Sequence, residues 1–145
     1  MTDRAWSEAK QFAARAWDEM EKLGTRGEAD PAYWSQRLVL AGAFGKGDVR
    51  DVIRLAAGKH HDPQLFHTAA NYFLPQWGGS PAELVHFAEE AARLTRATHG
   101  DAMYMWLAYQ ARFMAGEEKF QREYHFDWLR VAGGMRDAVR LAPRW

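Results

Sequence analysis

Three times in this chain a capping side chain stands directly before a proline: Asp30-Pro31, Asp62-Pro63 and Ser80-Pro81. No other feature constrains the fold as tightly. Aspartate or serine at a helix start accepts a hydrogen bond from a first-turn N–H that has no other partner. Proline suits that same turn, because the N–H it lacks would go unused there. Asp48 and Asp101 are further candidate caps, and glycines at 24, 45, 47, 58, 78, 79, 100 and 116 supply the stops. These marks predict about seven helices, near 3–23, 31–44, 48–58, 63–74, 81–98, 102–115 and 126–141. No segment sustains apolar–polar alternation between turn signals, so no strand is expected.

The stretch LPQWGGSPAE (74–83) resembles a phosphate-binding loop at first sight, but no GxxxxGK[ST] pattern follows a strand here. It reads instead as punctuation. Leu74-Pro75 ends one helix, since the residue before proline avoids helical geometry. Gly78-Gly79 permits the reversal, and Ser80 with Glu83 forms a capping box for the next helix.

The helix faces agree with this division. Leu84, Phe87, Ala88, Ala91 and Leu94 form one apolar stripe in 81–98, with Glu89 and Arg93 paired on the wet side. Ala5, Ala9, Phe12, Ala16, Met20 and Leu23 do the same in 3–23, widened by Trp6 and Trp17. AMYMWLAYQARFMA (102–115) is apolar nearly all round, which predicts a central helix covered on several sides. A chain of 145 residues is most simply one domain, and this size buries a sizeable core without staples.

Residues 62–104, with their LPxWGGS turn and the continuation FAEEAARLTRATHGDAMY, followed by FDWLRVAGGMRDAV, resemble an uncharacterised family of bacterial tetratricopeptide-like helical proteins. The resemblance implies an all-α stack of antiparallel helical hairpins and carries no activity or catalytic residue with it. The first 30 residues fall outside it. Gly133-Gly134 depart from the repeat pattern, and so small a pair lets a neighbouring helix come close. Helical-repeat chains hand over to a further repeat at LAPxW, whereas this chain stops at Trp145. It is therefore either the N-terminal part of a longer chain or a stack whose last helix leaves an apolar face for self-association or a partner.

Composition excludes several chemistries. There is no cysteine, so disulfides, thiol catalysis and thiolate-held zinc are out. Lysine plus arginine and aspartate plus glutamate number 19 each, which gives no electrostatic case for nucleic acid; the arginines at 130, 136, 140 and 144 are the one local exception. No run approaches a membrane span, and the N-terminus lacks a signal peptide's apolar stretch; the chain reads as soluble and cytoplasmic.

Catalytic constellations are sparse. His60, His61 and His67 lack the i,i+4 spacing of a helical metal chelate. Glu83 and His86 form the lone ExxH, where a di-iron bundle needs two. Serine occurs only at 7, 35 and 80, never in a GxSxG turn. No metal, cofactor or catalytic residue is expected. GEEKFQREYHFDW (116–128) is either a functional loop or an extra helical turn packed by its aromatics.

The function these features favour is non-enzymatic: a module that binds a partner protein or peptide on a helical surface. Short, cysteine-free chains also suit a bacterial immunity or antitoxin role. Trp77, Tyr104, Tyr109, Arg112, Tyr124 and Trp128 are the candidate anchors, being the residue types that carry binding energy at interfaces. The alternative is a small-ligand binder or enzyme, using a pocket between helix 102–115 and segment 116–128 with His125 or His99. A deep closed cavity favours the second reading, and a shallow face bordered by aromatics favours the first.

Overall fold

The structure, a computed structural model, describes residues 2–60 and 62–142. His61, weighed above as a metal ligand, and the terminal Pro143, Arg144 and Trp145 lie outside the described residues. Among the described residues there is no strand. The helices are α1 (Asp3–Lys22), α2 (Gly24–Glu28), α3 (Pro31–Phe44), α4 (Val49–Ala57), α5 (Pro63–Asn71), α6 (Pro81–His99), α7 (Ala102–Ala115), α8 (Glu117–Glu123) and α9 (Trp128–Leu141), with a 3-10 turn at Pro75–Trp77. The chain forms two compact units, one up to Ala69 and one from Ala70.

The caps work largely as the sequence predicts. Asp30 accepts from the Ala32 N–H at 2.9 Å, Asp48 from Arg50 at 2.7 Å, and Asp62 from Gln64 at 2.9 Å. Ser80 accepts from the Glu83 N–H at 3.2 Å, and its hydroxyl donates to the Glu83 carboxylate at 2.9 Å. Gly78 takes the left-handed conformation at φ 91°, and a side chain at Gly79 would strike the Phe73 backbone. Two glycines are needed there for two different reasons. Asp101 is the exception: its carboxylate makes no cap and is held instead by Arg130 at 2.8 Å.

In the first unit α3 packs on α4 and on α1, around the buried Trp34, Leu38, Ile53 and Ala56. The extra helix α2 was not legible, because Gly24 reads as a stop. Tertiary contacts hold it. The Trp34 indole donates to the Glu28 carbonyl at 3.0 Å, the His60 ring nitrogen lies 2.9 Å from that same oxygen, and Lys59 pairs with the Glu28 carboxylate.

The stripe expected to bury α1 is rotated. Trp6 stacks on Phe44 at 5.6 Å and Ala13 is buried, while Trp17 lies under the Arg37 guanidinium at 3.4 Å. Ala5, Phe12, Ala16 and Leu23 are exposed. The stripe was wide enough to turn, and the tryptophan side buries more surface per residue, while Ala9 and Met20 stay half-buried at its edge.

In the second unit α7 is the central helix, covered by α6, α8 and α9. Ala102, Met103, Tyr104, Met105, Leu107, Ala108 and Ala111 are all buried, as the apolar girth of this segment predicts. Gly134 is the point of closest approach between α9 and α7: a Cβ there would lie 2.6 Å from that of Met105 and would also strike the Asp101 carbonyl. Gly133 has no such neighbour, its nearest atom being an Arg136 nitrogen at 3.8 Å. On α6 the expected Glu89–Arg93 pair is replaced by neighbours one turn over, with Arg93 at 4.0 Å from Glu90 and Glu89 at 3.6 Å from His86.

Candidate partner-binding surface

The C-terminal end of α7 emerges from its cover, and α8 and α9 build a surface around it. Gly116 turns the chain, and residues 117–123 form α8 rather than a loop. Phe120 is the reason. Its ring is buried among Tyr124 at 5.6 Å, Phe126 at 5.7 Å and Trp128 at 5.9 Å. Phe126 in turn meets Tyr104 edge-on at 5.3 Å. Of the two readings of 116–128, the extra helical turn packed by aromatics is the one observed.

Tyr104 ties this cluster to the start of α9. Its hydroxyl accepts from the Asp127 N–H at 3.0 Å, and Arg130, paired with Asp101, lies over its ring at 4.4 Å. Asp127 then caps α9, accepting from Leu129 at 2.9 Å and Arg130 at 3.2 Å. Burial raises the Tyr104 hydroxyl above the ordinary tyrosine range, against the lowering pull of the Asp127 hydrogen bond and the Arg130 charge. Burial raises Tyr124 in the same way, with the Glu123 carboxylate adding to it.

The six anchors expected from sequence therefore separate into three groups. Tyr104 and Tyr124 are inside, 1% and 4% exposed, where neither ring can meet a partner unless the unit opens. They support the surface from beneath. Tyr109, Arg112 and Trp128 come together along one cleft with Ala108, Phe120 and Val131. Trp77 stands apart on the 3-10 turn, edge-on to Tyr72 at 6.3 Å and largely exposed.

That cleft has a volume of about 10 Å³, room for a single water rather than a metabolite. It opens onto a shallow depression of about 300 Å³ lined by Tyr109, Arg112, Phe113 and Glu117, where Arg112 pairs with the Glu117 carboxylate. Phe113, at 87% exposed, extends the apolar area, and Leu129, at 85%, follows Trp128 on α9. Sequence reasoning missed both. Phe113 lies in a helix that is apolar all round, so nothing local marks which end is left uncovered.

Other chemistry does not converge. Among the described residues no group of three or more histidine, aspartate or glutamate side chains is placed to hold a metal ion. His125 is exposed, and His99 lies against Thr98 and, at 6.0 Å, the Trp106 ring. No helix among the described residues is long and apolar enough to cross a membrane.

The class this geometry defines is an all-α protein whose second unit carries an exposed aromatic surface on a buried aromatic base. No family model, no curated protein and no solved structure matches the chain.

Proposed function

We propose that the second unit is a non-enzymatic protein-interaction module, which holds a partner protein or peptide on the face formed by Tyr109, Arg112, Phe113 and Trp128. One observation carries this reading: exposed aromatics and an arginine are gathered on a base of buried rings that fixes their positions. Tryptophan, tyrosine and arginine dominate binding energy at interfaces, and rigid anchors lose little entropy on binding. The shallow shape adds support, since small-ligand sites are concave and enclose most of their ligand. In this reading α6 and α7, joined across Gly100 and Asp101, act as a tetratricopeptide-like hairpin that presents the face.

Affinity capture with the tagged chain, followed by titration of the captured protein against variants, tests the proposal. Trp128→Ala is expected to weaken binding at least tenfold, the scale of an interface anchor, and Trp77→Ala to leave it unchanged. A stoichiometric partner equally indifferent to Trp128→Ala and Arg112→Ala would sink the assignment of this face. A chain that captures nothing but binds a metabolite would move the function to a small-ligand class.

A further inference from the structure

The outer side of α1 carries an exposed apolar row edged by charge, with the Arg15 guanidinium over the Phe12 ring at 4.7 Å. Trp6, Ala13 and Trp17 take the inner side of this helix, which leaves Ala5, Phe12 and Ala16 exposed and Ala9 half-buried beside them. The row 5, 9, 12, 16 steps by alternate fours and threes, the spacing of a seam between paired helices. Phe12 is the only large side chain in the row, 65% exposed and flanked by alanines.

Arg4, Glu8, Arg15 and Glu19 stand along the outer edge of that row, all exposed. Their signs alternate from one end to the other. A parallel copy of the helix would set this charged edge against the opposite edge of the row, where Ala13 and Met20 lie, and leave the charges unmatched. An antiparallel copy, centred between Gln11 and Phe12, matches them. It brings Glu8 opposite Arg15 of the second copy, and the same crossing brings Arg4 opposite Glu19. Phe12 then lies about one residue, roughly 1.5 Å along the axis, from Phe12 of the second copy, so the two exposed rings meet at the centre of the pairing.

We infer that α1 pairs antiparallel with α1 of a second copy of this chain. The pairing is weak by its size. A helix of 20 residues is about 30 Å long and about 10–12 Å across, so the strip covers on the order of 350 Å² per copy. Both copies together stay below the roughly 1,200 Å² of stable complexes, which places association in the range of transient contacts. The internal pairs Arg4–Glu8 at 3.0 Å and Glu19–Lys22 at 2.6 Å do not oppose it, because exposed ion pairs are worth little and exchange partners at small cost.

Sedimentation equilibrium of the whole chain, from micromolar to millimolar concentration, tests the inference. A monomer–dimer equilibrium is expected. Glu8→Arg and Arg15→Glu should each weaken it roughly tenfold, by turning two symmetry-related attractions into repulsions. The double variant, which restores opposite charges, should recover it. Phe12→Ala should abolish the dimer while leaving the circular dichroism unchanged, since this ring is exposed in the monomer. A monomer at every concentration overturns the inference. So does a dimer indifferent to Phe12→Ala and Glu8→Arg, or two charge reversals that the double variant fails to rescue. A dimer lost with Trp128→Ala instead would place the second copy on the α7–α9 face and equally overturn pairing through α1.

Discussion

Two adjacent glycines show how much a single position can differ from its neighbour. Gly134 faces the Met105 Cβ and the Asp101 carbonyl with no space for a methyl group, whereas Gly133 has open room around it. Gly134→Ala should therefore destabilise the second unit by about 1–3 kcal/mol through overpacking. Gly133→Ala should stabilise it by about 0.5–1 kcal/mol through helix propensity. Chemical denaturation of the two variants checks both signs, and equal effects would show that α9 does not seat on α7 at Gly134. Arg37 poses the opposite problem. Its guanidinium lies on Trp17 and near Glu21 at 3.6 Å, yet its Nε and one terminal nitrogen are buried without a hydrogen-bond partner. Buried unpaired donors cost about 1–3 kcal/mol each, which offsets a cation–π contact of about 2 kcal/mol. Arg37→Met is expected to unfold within about 1 kcal/mol of the parent, or later. A loss above about 3 kcal/mol in the same denaturation assay would mean the Trp17 contact dominates.

At the scale of the element, starts were legible and short helices were not. Asp30, Asp48, Asp62 and Ser80 announce their helices because a cap is a local interaction, complete within four residues. Helices α2 and α8 exist through contacts beyond their own turns: Trp34 and His60 on Glu28, and the rings of Phe126 and Trp128 around Phe120. Helix α9 combines both kinds of support. Its cap Asp127 is local, but the Asp127 N–H is satisfied by the Tyr104 hydroxyl. Tyr104→Phe removes that acceptor and should cost about 1 kcal/mol in thermal or denaturant unfolding. Asp127→Ala should cost about as much through the lost cap. If Tyr104→Phe cost nothing, the hydroxyl would not be positioning α9.

At the scale of the whole molecule, two buried phenols and the half-buried Tyr72 make stability depend on alkaline pH. Burial raises the hydroxyls of Tyr72, Tyr104 and Tyr124 above the ordinary tyrosine range. A raised folded value means that the folded state keeps its protons where the unfolded chain loses them. Stability from these groups is thus fully present below the unfolded value, near pH 10, and is lost as pH rises through the folded values. The thermal midpoint should fall above about pH 10, and Tyr104→Phe should make that fall shallower. A midpoint with the same alkaline slope in both proteins would exclude Tyr104 as a contributor. The same scale separates the candidate anchors. Six aromatic and arginine side chains were equivalent in the sequence, yet only Tyr109, Arg112 and Trp128 share the cleft.

What the sequence determined by itself is therefore the helical class, the main helix starts, the turn at Gly78-Gly79 and the central place of α7. Each follows from capping, proline geometry or the apolar girth of one segment, all of which act over a turn or two of chain. Tertiary structure alone decided which half of the α1 stripe faces inward, that 117–123 is a helix on an aromatic base, and which tyrosines are hidden. The physical reason is that burial is a property of what lies on the other side. Phe113 and Tyr104 belong to the same apolar helix, one 87% exposed and the other 1%, and only the packing of α6, α8 and α9 around α7 tells them apart.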